Sequence, residues 1–464
     1  DRCLVHIERE ILNRLILHGS RPFLSFGFWR FQTYRKGRAS TCVSPTYQAA
    51  GVEKPSRVTP IGMSKKIVLS VVAALTAICL GCTHFAVTEP QCPGSDSCYF
   101  MGLDEAKAKG ERLHVIVVHG IGPHQIGYSD ALVDKLMSKM GATPVAGGGI
   151  RRLPPRPPGV WEEFKPFQGQ SASAPEASFG GPQALLAVRR FRAGDGKQVF
   201  TYEITWAPIV DPLKQALTYD VTAARERLRA TVNRKLKRHL IDERLADPVI
   251  YLGYQRSNLQ YPVAHTICSI LGGEVEVSPS DRITRCELQK DPDPFANVPY
   301  LQKTDKIAVV TQSLGSKITF DVLTQFVKDP LFAEAIRGTL TTVFMLANQL
   351  PLLELADRDP LSPTTSLGEL AQALRSGAEC IEPQFGVVAV SDPNDLLSFD
   401  ISDTFALRTP SVTFANVQAQ LGKRYVGYAV DPLGAHVNHE LSDRVLQLIV
   451  SGYGAAPQSA GGCQ

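Results

Sequence analysis

The chain has 464 residues, 44% hydrophobic and 20% charged. That is enough apolar material for a full core, and it excludes wholesale disorder. The formal net charge of +4 is unevenly placed: residues 1–62 hold ten Lys/Arg and four Asp/Glu, so the other 402 carry −2. This balance speaks against a nucleic-acid partner, and a single long apolar run, Ile67 to Leu80, excludes a multi-pass membrane protein.

That run follows Met63-Ser-Lys-Lys and closes on Gly81-Cys82. A basic start, an apolar stretch of 14 residues and a small residue before the cut make a secretory signal. With Cys directly after the small residue, it resembles the signal of a bacterial lipoprotein, although Cys79 stands where Leu is usual. The resemblance implies that Cys82 is lipidated and begins the mature chain. It also implies a lipoprotein of the bacterial cell envelope, anchored in the membrane and facing the periplasm, the outer membrane being favoured. An ordinary cleaved signal or an uncleaved anchor are the alternatives. On this reading 1–62 is an upstream extension outside the native protein and 63–81 the signal peptide. Residues 82–110 are a tether, 111–455 the folded domain and 456–464 a flexible tail.

Beyond Cys82 six cysteines remain: Cys92, Cys98, Cys268, Cys286, Cys380 and Cys463. An oxidising compartment allows three bridges among them, and proximity favours Cys92–Cys98 and Cys268–Cys286. No Cys/His spacing suggests a metal, and no cofactor is expected.

Leu113-His-Val-Ile-Val-Val118 reads as a strand buried on both faces of a parallel sheet. A helix is expected over 130–140. Residues 141–183 are rich in Gly, Pro and Ser and read as an insertion or surface loop. Ala184 to Trp206 reads as two strands about the turn Ala193-Gly-Asp-Gly196. Leu228, Val232, Leu236 and Leu240 recur every fourth residue among Arg and Lys, which predicts an amphipathic helix over 223–245. Its stripe is expected to be buried, with contact to an anionic membrane surface as the alternative. Lys306–Val310, Thr342–Leu346 and Gly386–Val390 are further strands, with a helix over 318–327 between the first two. Strands alternating with helices predict an α/β fold around a mostly parallel central sheet.

Ile307-Ala-Val-Val-Thr-Gln-Ser-Leu-Gly-Ser-Lys317 carries the chemistry. An apolar strand enters Thr311-Gln-Ser-Leu-Gly315 and a helix leaves it, the small-x-Ser-x-Gly pattern of a nucleophile elbow. Such a turn lifts the Ser313 hydroxyl above the sheet at a helix N-terminus, with the amide of Leu314 beside it. An ordinary helix-capping serine is the alternative. Val117-Val-His-Gly-Ile-Gly122 ends the first buried strand in the same way. Here the chain resembles the α/β-hydrolase superfamily, of the lipase or esterase kind. The resemblance implies an α/β-hydrolase fold over about 111–450, with a long insertion between the first strand and the elbow. It also makes the Ile121 amide the second oxyanion donor and His119 structural.

Superfamily order places an acid and then a histidine after the serine. Only His436 and His439 follow Ser313; His436, in Gly434-Ala-His ahead of the last helix, is favoured as base and His439 is the alternative. Ser391-Asp-Pro-Asn-Asp-Leu-Leu397 offers two acids. Asp395 is favoured, with Asp392 as the turn former and alternative. Tyr202-Glu-Ile-Thr-Trp-Ala-Pro208 and Ala246-Asp-Pro-Val-Ile-Tyr-Leu-Gly253 look similar to segments of lipase-like branches and hint at bulky or lipidic esters. The expectation is a serine esterase or lipase working through an acyl-enzyme. Its partners would be a small-molecule or lipid ester and, through the anchor, a membrane. A non-catalytic binding or scaffolding lipoprotein, or an acyltransferase on the same triad, are the alternatives.

Overall fold

The apolar runs lie side by side as strands. The computed structural model describes residues 86–93, 98–153, 183–217, 228–277, 283–288, 304–357, 365–375, 385–402, 412–425 and 429–455. The signal peptide, Cys82, Cys380, Cys463 and the tail 456–464 lie outside the described residues. Eight strands form the main sheet: β1 (Arg112–Val118), β2 (Thr143–Arg152), β3 (Leu185–Arg192), β4 (Gln198–Thr205), β5 (Lys306–Gln312), β6 (Leu340–Leu346), β7 (Phe385–Ser391) and β8 (Val412–Gln418). Their spatial order is β8-β7-β6-β5-β1-β4-β3-β2. From β8 to β4 all neighbours are parallel, and β3 and β2 extend one edge as antiparallel strands. The fold is therefore α/β with a mostly parallel, mixed sheet.

Both faces of the sheet are covered, which is why its central strands read as unbroken apolar runs. Ile116, Val118 and Val309 point into one core, which also holds residues of α6 (Arg256–Ile270) and α7 (Leu314–Phe326). Val115, Val117 and Val310 point into the other, against α1 (Leu103–Lys109), α2 (Asp130–Lys139) and α9 (Asp443–Ser451). Each fully buried Val or Ile of this kind contributes roughly 1.5–3 kcal/mol. Cys268–Cys286 fastens α6 to the strand Ile283–Leu288, and Cys92–Cys98 closes a short loop.

Three expectations need correction. Residues 86–110 are not a tether throughout. Thr88 and Gln91 donate backbone hydrogen bonds to Gln418 and Asn416, so this segment covers the outer edge of β8. Phe100 is buried and its two-residue strand pairs with Gly452–Tyr453, while Leu103 and Ala106 of α1 enter the core. Pro and Gly nearby obscured a short stretch of core-forming residues. Within 141–183, residues Thr143–Arg152 form strand β2, whose side chains are mostly exposed because it lies at the sheet edge. The helix expected over 223–245 is described from residue 228 and is not continuous: Arg229 and Ala230 are not helical and a helix begins at Thr231, while Leu228, Val232 and Leu236 are exposed rather than buried and Leu240 is half-buried. Among the described residues no helix is long and apolar enough to cross a membrane.

Register carries the site. Val118 pairs with Thr311, Gln312 with Leu346, and Leu346 with Val390. The loops after β1, β5, β6 and β7 therefore emerge together at the carboxyl edge of the parallel strands, where open α/β sheets hold their ligands.

Candidate active site

Ser313 sits between β5 and α7 with φ +52° and ψ −121°, a left-handed conformation that costs a non-glycine residue about 1–3 kcal/mol. The surroundings enforce it. Ser313 N–H donates to Leu346 O at 2.8 Å, and Ser316 N–H donates to Ser313 O at 3.0 Å. Thr311 Oγ1 lies 2.9 Å from Ser316 Oγ and donates to Phe344 O at 3.2 Å, locking the residues before and after the turn. Backbones crowd here: a Cβ on Gly315 would come within 2.7 Å of the carbonyl oxygens of His119 and Val118. A Cβ on Gly120 would lie 2.5 Å from Ser313 Cβ. Both glycines are thus required by contact.

His436 Nε2 lies 3.0 Å from Ser313 Oγ, and His436 Nδ1 lies 2.8 Å from Asp395 Oδ2. All three side chains are buried. An ionised carboxylate only accepts, so Nδ1 carries the proton and Nε2 is left to accept from the Ser313 hydroxyl. Burial pushes the Asp395 carboxyl up, but the hydrogen bond and charge of His436, with bonds from Leu397 N–H and Ser398, outweigh it and hold it below the usual carboxylate range. Asp395 is therefore ionised at neutral pH.

His436 belongs to a six-residue helix, α8 (Pro432–Val437), rather than to a loop. Asp431 caps that helix by accepting from Leu433 N–H at 3.1 Å. Asp392 does not face His436. Its Oδ1 accepts from Asn394 N–H at 2.8 Å, and its Oδ2 accepts from the amides of Leu421 and Gly422. Leu421 O in turn accepts from Asn438 Nδ2 at 3.3 Å. Asp392 thus builds the turn that presents Asp395 and ties it to the segment that delivers His436. His439 is buried and lines a cavity of about 170 Å³ bordered also by His124, Tyr128, Gln312 and Val437. Burial, and then the charge of His436, lower its pKa to about 4.

The amides proposed for the oxyanion belong to the residues that follow Gly120 and Ser313, whose backbones touch. Gly122, at φ +108°, gives its N–H to Asp247 Oδ2 at 2.7 Å, so that amide is already engaged. His119 is a brace. Its Nε2 accepts from Trp206 N–H at 3.0 Å and Ala207 N–H at 3.3 Å, so Nδ1 donates to Gly120 O at 2.7 Å. The Trp206 indole stacks on the ring at 4.2 Å and donates to His119 O at 3.1 Å. Burial holds the His119 pKa well below its ordinary value, so the imidazole stays neutral.

Three supporting residues were missed as such. Glu203, near the end of β4, accepts from Gly127 N–H, Ser129 N–H and Ser129 Oγ, and so pins the residues that lead into α2 from a distant strand. Trp206 and Asp247 hold the loop after β1. Asp247 lies on α5 (Ala246–Leu252) and is paired at 3.0 Å with Lys214 of α3 (Ala207–Lys214). Burial raises its pKa to about 6 against the pull of Lys214 and the Gly122 amide. All three stand in the two segments singled out for substrate resemblance. The available signal was a carboxylate inside an apolar stretch, which needs a built partner.

Among the described residues no group of three or more His, Cys, Asp or Glu is placed to hold a metal ion. Comparison of the chain with protein-family profiles, curated proteins and solved structures finds no match.

Two outcomes follow. Asp247→Ala frees the Gly122 amide, and the rate at which a fluorophosphonate captures Ser313 falls about tenfold, or ~1.4 kcal/mol of barrier. Asp247→Asn, which keeps an acceptor, loses less. His439 takes up a proton near its ordinary value of 6.5 in the unfolded chain, but only near 4 in the folded protein. The stability it contributes is present above 6.5 and is lost as pH falls toward 4. In thermal melts His439→Asn flattens the decline of Tm across that window.

Proposed function

We propose that the chain is a serine hydrolase of the α/β-hydrolase kind that cleaves carboxylic esters through an acyl-enzyme. The observation that carries this reading is the Ser313–His436–Asp395 relay, at 3.0 and 2.8 Å, on a serine held at φ +52°. A buried serine in an unfavourable backbone conformation, aligned with an imidazole and an ionised carboxylate, has no evident packing role.

His436 Nε2 accepts the Ser313 proton as Oγ attacks the ester carbonyl. Asp395 holds the productive tautomer and stabilises the imidazolium. The amides of Leu314 and Ile121 receive the negative charge that develops on the carbonyl oxygen. Such donors act in a site closed to water and cost no reorganisation at the moment of reaction. His436 then protonates the leaving alcohol. Water enters and attacks the acyl carbon as His436 takes one of its protons; His436 then returns that proton to Ser313 Oγ as the acid leaves, which restores both residues. On this reading the protein is also an envelope lipoprotein held to the membrane through Cys82.

p-Nitrophenyl esters of increasing acyl length test the reading. Ser313→Ala lowers kcat/KM by about 10⁴-fold or more. Asp395→Asn, which favours the wrong tautomer, lowers it by ~10⁴-fold. Asp392→Ala unfastens the turn and acts mainly on stability, at ~1–3 kcal/mol. Turnover retained in Ser313→Ala, or a larger catalytic loss at Asp392 than at Asp395, contradicts the assignment.

A further inference from the structure

The segment from Thr231 to Leu252 is continuous helix: α4 (Thr231–Leu236), a π-helical stretch (Lys237–Leu245) and α5. Its two ends behave differently. The far end is fastened to the catalytic machinery: Asp247 holds the Gly122 amide, and a Cβ on Gly122 would meet Arg244 Cγ at 3.5 Å. The near end is unpartnered by the core. Leu228 is 88% exposed, Val232 63%, Leu236 51% and Ile241 45%, and no residue of Thr231–Leu245 is buried. Val232 and Leu236, four residues apart, share one side of this helix, and Leu228 stands just ahead of it, beyond the extended Ala230.

Charge says what covers it. Residues 228–245 hold Arg229, Arg234, Lys235, Lys237, Arg238 and Arg244 against Asp242 and Glu243, a net of +4 in a folded part that is otherwise slightly acidic. Both acids are engaged within the segment, Asp242 with Lys237 at 3.1 Å and Glu243 with His239 at 2.9 Å. A second copy of this chain would bring the same positive face against itself. An anionic surface with an apolar interior offers the complement: headgroups for the cations and acyl chains for the stripe.

We propose that the helical stretch Thr231–Leu245, with Leu228 and Arg229 just ahead of it, docks on an anionic lipid bilayer, which brings the active-site loop at Gly122 close to the membrane surface. The stripe inserts at the boundary between headgroups and chains, and Arg234, Lys235 and Arg238 engage lipid phosphates. The proposal goes beyond the hydrolase reading. Its test uses no turnover, so a failed ester assay leaves it standing.

Hydrogen exchange on the full chain tests it, with vesicles of phosphatidylcholine alone and vesicles in which about a quarter is phosphatidylglycerol. A lipid anchor inserts into both, so the difference between the two reads the helix. The expected result is at least tenfold slower exchange over 228–245 with the anionic vesicles only, reversed in about 0.5 M NaCl. Val232→Glu/Leu236→Glu and, separately, Arg234→Glu/Lys235→Glu abolish it. Val232, Leu236 and Lys235 are exposed and Arg234 is half-buried, and an unchanged Tm verifies that each variant folds. Equal exchange with the two vesicle types overturns the proposal. So does protection that rises with protein concentration in the absence of vesicles, which assigns the face to self-association.

Discussion

A serine forced into a left-handed turn is the constraint from which the site follows. Ser313 adopts φ +52° because its amide is claimed by Leu346 on the neighbouring strand while its carbonyl accepts from Ser316 inside the helix. The turn is narrow enough that Gly315 and Gly120 must lack side chains, and the loop after β1 comes to rest against Ser313. The strain is offset by hydrogen bonds and by burial of the sheet on both faces, and the result is a hydroxyl fixed in place before any substrate arrives. On the proposed function, preorganisation of this kind removes a reorganisation cost from the chemical step.

Around that turn the protein spends buried charge on geometry. Asp392, Glu203 and Asp247 each accept from backbone amides of the loops around Ser313 and His436. A buried carboxylate is costly unless its acceptor sites are filled, so each holds its loop in a single arrangement. Asp395 differs because one oxygen is committed to Leu397 N–H and the other to the imidazole. That division explains how two aspartates three residues apart take unlike roles.

Much of this was legible in the sequence for local reasons. Val115–Val118 and Ala308–Val310 are short apolar runs with turn residues behind them, which is what a doubly covered strand requires. Ser313, Asp395 and His436 could be named because the elbow is a local pattern and few histidines follow it. What could not be read depends on distant packing. The Pro- and Gly-flanked stretch 86–110 forms part of the domain because it finds the edge of β8 and the strand Gly452–Tyr453. The period of Leu228, Val232 and Leu236 announces an apolar stripe, but not the break at Ala230 that sets Leu228 apart nor whether the core covers the rest. Asp247 and Glu203 carry no local mark of the loop they hold, since their partners lie 125 and up to 76 residues away.

The central claim is that Ser313 and His436 act as one unit, and a double-mutant cycle on ester turnover tests it most directly. If they do, kcat/KM falls by about 10⁴-fold or more in Ser313→Ala and in His436→Ala, and the double mutant is no worse than either single mutant to within about twofold. Losses that multiply in the double mutant, or a single variant that keeps wild-type turnover, would contradict the account.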